Sequence, residues 1–173
     1  TGSMSRQSSG IRFLIDATEG ESRRLSVGIE IKGPFTSSNL TMHFPRWVPG
    51  SYFLREPIQH MTDFIATDQA GNALAANRKD VDAMRIKLSS DTTSVMLTYQ
   101  LLAVNLSVRA NHLDTTHLHM MPPFTWFMPT EGIDSSRMNM EHIVELHSPK
   151  GWTPATQYTS SGSRSGKGEL TSN

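Results

Sequence analysis

Thr93-Ser94-Val95-Met96-Leu97-Thr98-Tyr99-Gln100-Leu101-Leu102-Ala103-Val104 is the stretch on which the fold turns. In an extended chain Val95, Leu97, Tyr99, Leu101 and Ala103 fall on one side; Met96, Thr98, Gln100, Leu102 and Val104 fall on the other. No charged residue stands between Asp91 and Arg109. A strand this apolar on both faces is expected in the middle of a sandwich or beneath a second layer. Thr, Gln and Asn interrupt the run, so it does not read as a membrane span, which needs ~20 apolar residues as a helix.

Working outward, the same two-residue period recurs. Leu25, Val27, Ile29 and Ile31 alternate with Ser26, Gly28, Glu30 and Lys32, and Gly33-Pro34 ends that strand. Ile11 to Asp16, Leu40 to Phe44, Phe64 to Thr67 and Ala83 to Leu88 read as further strands. Asp68-Gln69-Ala70-Gly71-Asn72 carries a turn signal. Met138, Met140, His142, Val144 and Leu146 alternate with Asn139, Glu141, Ile143, Glu145 and His147, predicting a strand that Ser148-Pro149-Lys150-Gly151 closes. No segment sustains a 3.6-residue apolar period. Pro 9 and Gly 12 punctuate short strands, which predicts an all-β domain: a β-sandwich or a saddle-shaped, mostly antiparallel sheet.

Residues 1–10 read as a tag remnant (Thr1-Gly2-Ser3 before Met4) and a disordered N-terminus, 11–158 as the β-rich domain, and 159–173 as a Ser/Gly-rich tail or truncated linker. Lys+Arg 16 balance Asp+Glu 16, which argues against nucleic acid or an anionic membrane as partner. Cys 0 excludes disulfides and thiolate chemistry. The chain opens without an apolar secretory core, so the cytoplasm is the expected compartment.

Several segments carry groups capable of chemistry. Trp47-Val48-Pro49-Gly50-Ser51-Tyr52 combines a Pro-Gly turn with flanking aromatics: either a rigid corner or a surface that presents Tyr52, Arg55 and Glu56. His112, Asp114, His117 and His119 lie within eight residues, and a turn gathering them would meet a tetrahedral metal's demand; hydrogen-bonded surface histidines are the plainer reading. His142-Ile143-Val144-Glu145-Leu146 resembles an inverted zincin motif only superficially. Position 146 is not His, and strand alternation denies the helical i, i+4 placement that such ligands require. There is no H-E-x-x-H, nucleophile elbow, P-loop or dinucleotide fingerprint, so no catalytic residue is assigned.

Trp47 to Glu56, Leu106-Ser107-Val108-Arg109, Leu113-Asp114-Thr115-Thr116-His117 and Pro149-Lys150-Gly151-Trp152 occur in a fixed order. Together they resemble the N-terminal domain of the glycyl aminopeptidase family of zinc metallopeptidases, over about Phe13 to Tyr158. The chain departs from that family at Pro57, at Thr115 and across Met120-Met121-Pro122-Pro123. The resemblance implies a β-domain followed by a thermolysin-like helical domain with H-E-x-x-H and zinc, then a PDZ domain. It also implies removal of N-terminal residues from peptides, Gly and Ala being favoured. Zinc and the general base would belong to the catalytic domain, leaving this segment without peptidase activity of its own.

The reading that follows is a non-catalytic domain whose partner is its own downstream catalytic domain and, through it, peptide substrates. Tyr52, Arg55, Glu56, Arg109, Asp114 and His117 are the residues expected at the substrate cleft or domain interface. The alternative is a free-standing β-sandwich binding carbohydrate or peptide on Trp47, Trp126 and Trp152.

Overall fold

A computed structural model describes residues 8–18, 22–44, 61–102, 112–113, 118–119, 127–149, 159–161 and 167–171. The strands are β1 (Ser8–Asp16), β2 (Arg24–Lys32), β3 (Asn39–His43), β4 (Met61–Asp68), β5 (Ala76–Asp80), β6 (Ala83–Lys87) and β7 (Ser94–Leu102). They continue with β8 (His112–Leu113), β9 (Leu118–His119), β10 (Met128–Glu131), β11 (Glu141–His147), β12 (Thr159–Ser161) and β13 (Lys167–Thr171). A seven-stranded sheet runs β12-β13-β11-β1-β2-β7-β4, a four-stranded sheet runs β10-β3-β6-β5, and β8 pairs with β9. Only the β1–β11 pair is parallel among the described strands. The all-β sandwich expected from the alternation is the observed architecture. No described helix is long and apolar enough to cross a membrane.

The core lies between the two larger sheets. Phe13 and Ile15 of β1, Leu25, Val27, Ile29 and Ile31 of β2, and Val95, Leu97, Tyr99 and Leu101 of β7 share one buried cluster with Leu40, Met42, Met84 and Ile86 of the smaller sheet. Each such aliphatic side chain stabilises the fold by about 1.5–3 kcal/mol through burial alone. The opposite face of β7 is not covered as its composition suggested: Leu102 is 43% exposed, Thr98 is exposed, and Met96 and Gln100 are half-buried. The strand lies inside the large sheet between β2 and β4, but its second face is not buried against another layer.

Other segments also differ from expectation. Met138 and Met140 do not extend β11; Ser135–Asn139 forms a 3-10 helix capped by Asp134, whose carboxylate accepts from Ser136 N at 2.9 Å. That acceptor satisfies a helical turn and overrides the alternation. Ser8, Ser9 and Gly10, expected in a disordered terminus, begin β1, with Ser9 buried. Residues 159–161 and 167–171, expected in a tail or linker, form β12 and β13, of which β13 pairs with β11 and β12 with β13. The predicted turn after β4 forms as read, with Asp68 Oδ1 accepting from Ala70 N and Asn72 N at 2.9 Å each. Those backbone donors, Asn72 first, hold its carboxyl below the ordinary value.

The 3-10 helix is tied to the rest of the domain by Arg137. This buried guanidinium donates to the carbonyls of Ser9 at 2.8 Å, of Pro34 at 3.3 Å and of Lys32. Gly10, at φ +72°, leaves room for it: a Cβ there would stand 2.8 Å from Arg137 Nη2.

His142 sits edge-on to Phe13, their ring centroids 6.0 Å apart. Its Nε2 donates to Met138 O at 3.2 Å, so its Nδ1 accepts the Ser9 hydroxyl at 2.8 Å. Burial holds the imidazole below its usual 6.5, partly opposed by the Met138 carbonyl. The unfolded chain therefore takes up this proton first as pH falls, and stability present above 6.5 is lost towards the lower folded-state value. Urea titrations at stepped pH should show that loss, with a slope no steeper than about 1.4 kcal/mol per pH unit for one proton. His142→Phe should flatten it; an identical slope in that variant would assign the effect to other groups.

Candidate functional site

At one end of the sandwich four rings form a cluster. Phe44, just beyond β3, and Phe127, just before β10, have centroids 4.0 Å apart. Tyr99 meets Phe127 edge-on at 5.4 Å and Phe44 at 6.1 Å, and Phe64 of β4 lies 5.9 Å from Phe127. Alternation delivers Tyr99 and Phe64 to the inner face of the large sheet, while Phe44 and Phe127 flank the paired strands β3 and β10. Phe127 N donates to the Tyr99 hydroxyl at 3.3 Å. Complete burial pushes the Tyr99 phenol far above its ordinary value, so it remains protonated.

Two cluster members flank long connections: Phe44 precedes one and Phe127 follows the other. Residues 45–60 leave after Phe44 and return at Met61, which pairs with Leu101. Residues 103–126 leave after Leu102 and return at Phe127. All six residues expected at an interface, Tyr52, Arg55, Glu56, Arg109, Asp114 and His117, belong to these two connections and lie outside the described residues, as do Trp47, Trp126 and Trp152. The described residues that flank these segments in the sequence are Phe44, Met61, Leu102 and Phe127. Within the second connection, β8 and β9 pair so that His112 stands opposite His119 in register, with Asp114 and His117 in the span joining them. Among the described residues no group of His, Asp and Glu is arranged to hold a metal.

Two polar clusters went unread in the sequence. Glu145, buried on β11, is paired with Arg12 and lies 2.7 Å from His147 Nε2. Ser9 and His142 form a hydroxyl–imidazole contact that resembles a nucleophile and base. Ser9 is 1% exposed and also accepts from Ile11 N at 3.1 Å, so the pair anchors β1 and offers a substrate no access. A β-strand alternation carries no signal for either cluster, because both depend on which strands become neighbours.

The architecture has counterparts among solved structures. The chain superposes on an aminopeptidase N family protein from Idiomarina loihiensis with a TM-score of 0.81 and 22% identity, over 94% of this chain and 27% of that one. An M1 zinc metallopeptidase from Deinococcus radiodurans aligns at a TM-score of 0.44 and 12% identity, over 93% of this chain and 37% of that one. The family model of the peptidase M61 N-terminal domain matches residues 12–173, and the chain belongs to that family. No curated protein matches it. The chain spans about a quarter of the length of the Idiomarina protein.

Proposed function

We propose that the domain packs against a zinc-bearing catalytic domain of the same polypeptide and forms one wall of its substrate cleft. The observation that carries this reading is that Phe44, which precedes residues 45–60, and Phe127, which follows residues 103–126, pack together in one cluster with Phe64 and Tyr99. The two connections that adjoin this cluster in sequence hold Tyr52, Arg55, Glu56, Arg109, Asp114 and His117. Loops on a rigid scaffold are where recognition concentrates. Membership of a family of peptidase N-terminal domains supports a catalytic neighbour in the same chain. In this reading zinc, its ligands and the general base belong to that neighbour, and the complete enzyme removes N-terminal residues from peptides, Gly and Ala preferred.

Arg55→Ala and Arg109→Ala in the polypeptide carrying the catalytic domain test the assignment. Charged hydrogen bonds across a cleft or domain contact are worth about 1.5–3 kcal/mol, so each variant should lower kcat/KM roughly tenfold or more. Separately produced domains should also associate more weakly. Turnover and association both equal to the parent's would remove the proposal.

A further inference from the structure

β1 is held in two different ways along its length. From Ile11 to Asp16 it is in register with β2, and from Arg12 to Asp16 with β11. The register with β11 slips between Ser8 and Arg12, and at that slip side chains grip the strand. Arg137 Nε donates to Ser9 O at 2.8 Å, and the Ser9 hydroxyl donates to His142 Nδ1 at 2.8 Å. Ser9 Oγ in turn accepts from Ile11 N at 3.1 Å, which makes the Ile11 amide a direct probe of the grip.

This contact requires a neutral imidazole. His142 Nε2 donates to Met138 O, which leaves Nδ1 as the acceptor. A second ring proton would turn Nδ1 into a donor. The Ser9 hydroxyl, in a residue only 1% exposed, would then lose its acceptor, a costly state for a buried polar group. A second cation would also converge on a residue whose carbonyl already takes the Arg137 guanidinium. The neighbouring elements do not offset that charge. β2 brings Lys32 beside Gly10, and Arg12 of β1 is engaged by Glu145. Asp134, the carboxylate nearest Arg137 in charge, accepts from Ser136 N and Oγ. Among the described residues no carboxylate bonds to His142.

We propose that Ser8–Gly10 form a latch that opens when His142 takes up a proton, freeing the start of β1 while its paired part stays in the sheet. Burial holds the imidazole below its usual 6.5 in the closed latch, so closure is favoured above that value and is lost as pH falls towards the lower one. One linked proton changes the opening equilibrium by at most about tenfold per pH unit. Opening admits the proton without global unfolding, so it caps the stability loss that urea titrations read. The latch is independent of the docking reading, which rests on the aromatic cluster.

Amide hydrogen exchange followed by NMR from about pH 7.5 to about pH 5 tests the proposal, with protection corrected for the intrinsic pH dependence of exchange. Ile11 should lose protection roughly tenfold or more over the range in which the His142 ring resonances titrate, while Leu97 in mid-sheet keeps its own. His142→Gln retains an acceptor for Ser9 and does not titrate, so Ile11 should stay protected throughout. If that variant does not fold, the coincidence of ring titration with Ile11 exchange in the parent chain decides. Loss of protection at Ile11 and Leu97 together, constant protection at Ile11 down to about pH 5, or an unchanged pH dependence in His142→Gln would each overturn the latch.

Discussion

Gly132→Ala is expected to destabilise the domain by about 3 kcal/mol or more, read as a large fall in the urea midpoint. Gly132 follows β10 with φ +99°, outside the conformations that residues with a Cβ adopt comfortably. A Cβ there would clash with Asn39 O and stand 3.0 Å from Leu40 Cα, both backbone atoms of β3 that cannot rotate away. The same residue's carbonyl accepts from Thr36 N at 2.8 Å, so displacing it also releases the segment leading into β3. Gly71→Ala is the matched control. Its φ is +83°, but nothing lies within 4 Å of the added atom, so only backbone strain of about 1 kcal/mol is expected. Equal midpoints for the two variants would show that β3 and β10 separate without cost.

Phe127→Ala should cost about 3–5 kcal/mol, the range for removing a buried aromatic ring. Phe127 is fully buried and touches the rings of Phe44, Phe64 and Tyr99, so its loss opens a cavity among three elements. Thermal melts of the chain check the magnitude, and Phe127→Leu should recover much of the loss. In a polypeptide that carries the proposed catalytic domain, Phe127→Ala should also lower kcat/KM at temperatures where the fold survives, because Phe127 packs on Phe44 and the two residues adjoin the proposed contact segments. A stable, fully active Phe127→Ala enzyme would separate the aromatic end from function.

The sheet strands were legible wherever alternation and burial coincide. Leu25, Val27, Ile29 and Ile31 are all at most 2% exposed, as their spacing implied. Misreadings fall where another force decides. β5 is an edge strand of mostly exposed polar residues, Asn77, Arg78, Lys79 and Asp80, with no apolar stripe to announce it. β10 contains Pro129, admissible because this strand too lies at a sheet edge, where a missing N–H need not break a ladder. Met96 and Leu102 look like core residues in sequence, yet only neighbours from distant segments determine whether a second layer covers them. The Arg137 tie joins carbonyls more than a hundred residues away, and Asp63 sits in a bulge of β4 at φ +56°; neither has a local signature. Gly28 did have one: a glycine set between Val27 and Ile29 marks a strand position where bulk is withheld.

The parallel pairing of β1 with β11 joins Ser8 to Glu141 and Asp16 to His147. A ribosome adding about 5–20 residues per second needs on the order of ten seconds between making these two segments. Through that interval the first strand can be flanked by β2 on one side while its other edge waits for a neighbour still being translated. Completion of the large sheet is therefore a late event in the synthesis of this domain, and the nascent chain relies on its early hairpin, or on a chaperone, to keep that edge from pairing with another molecule.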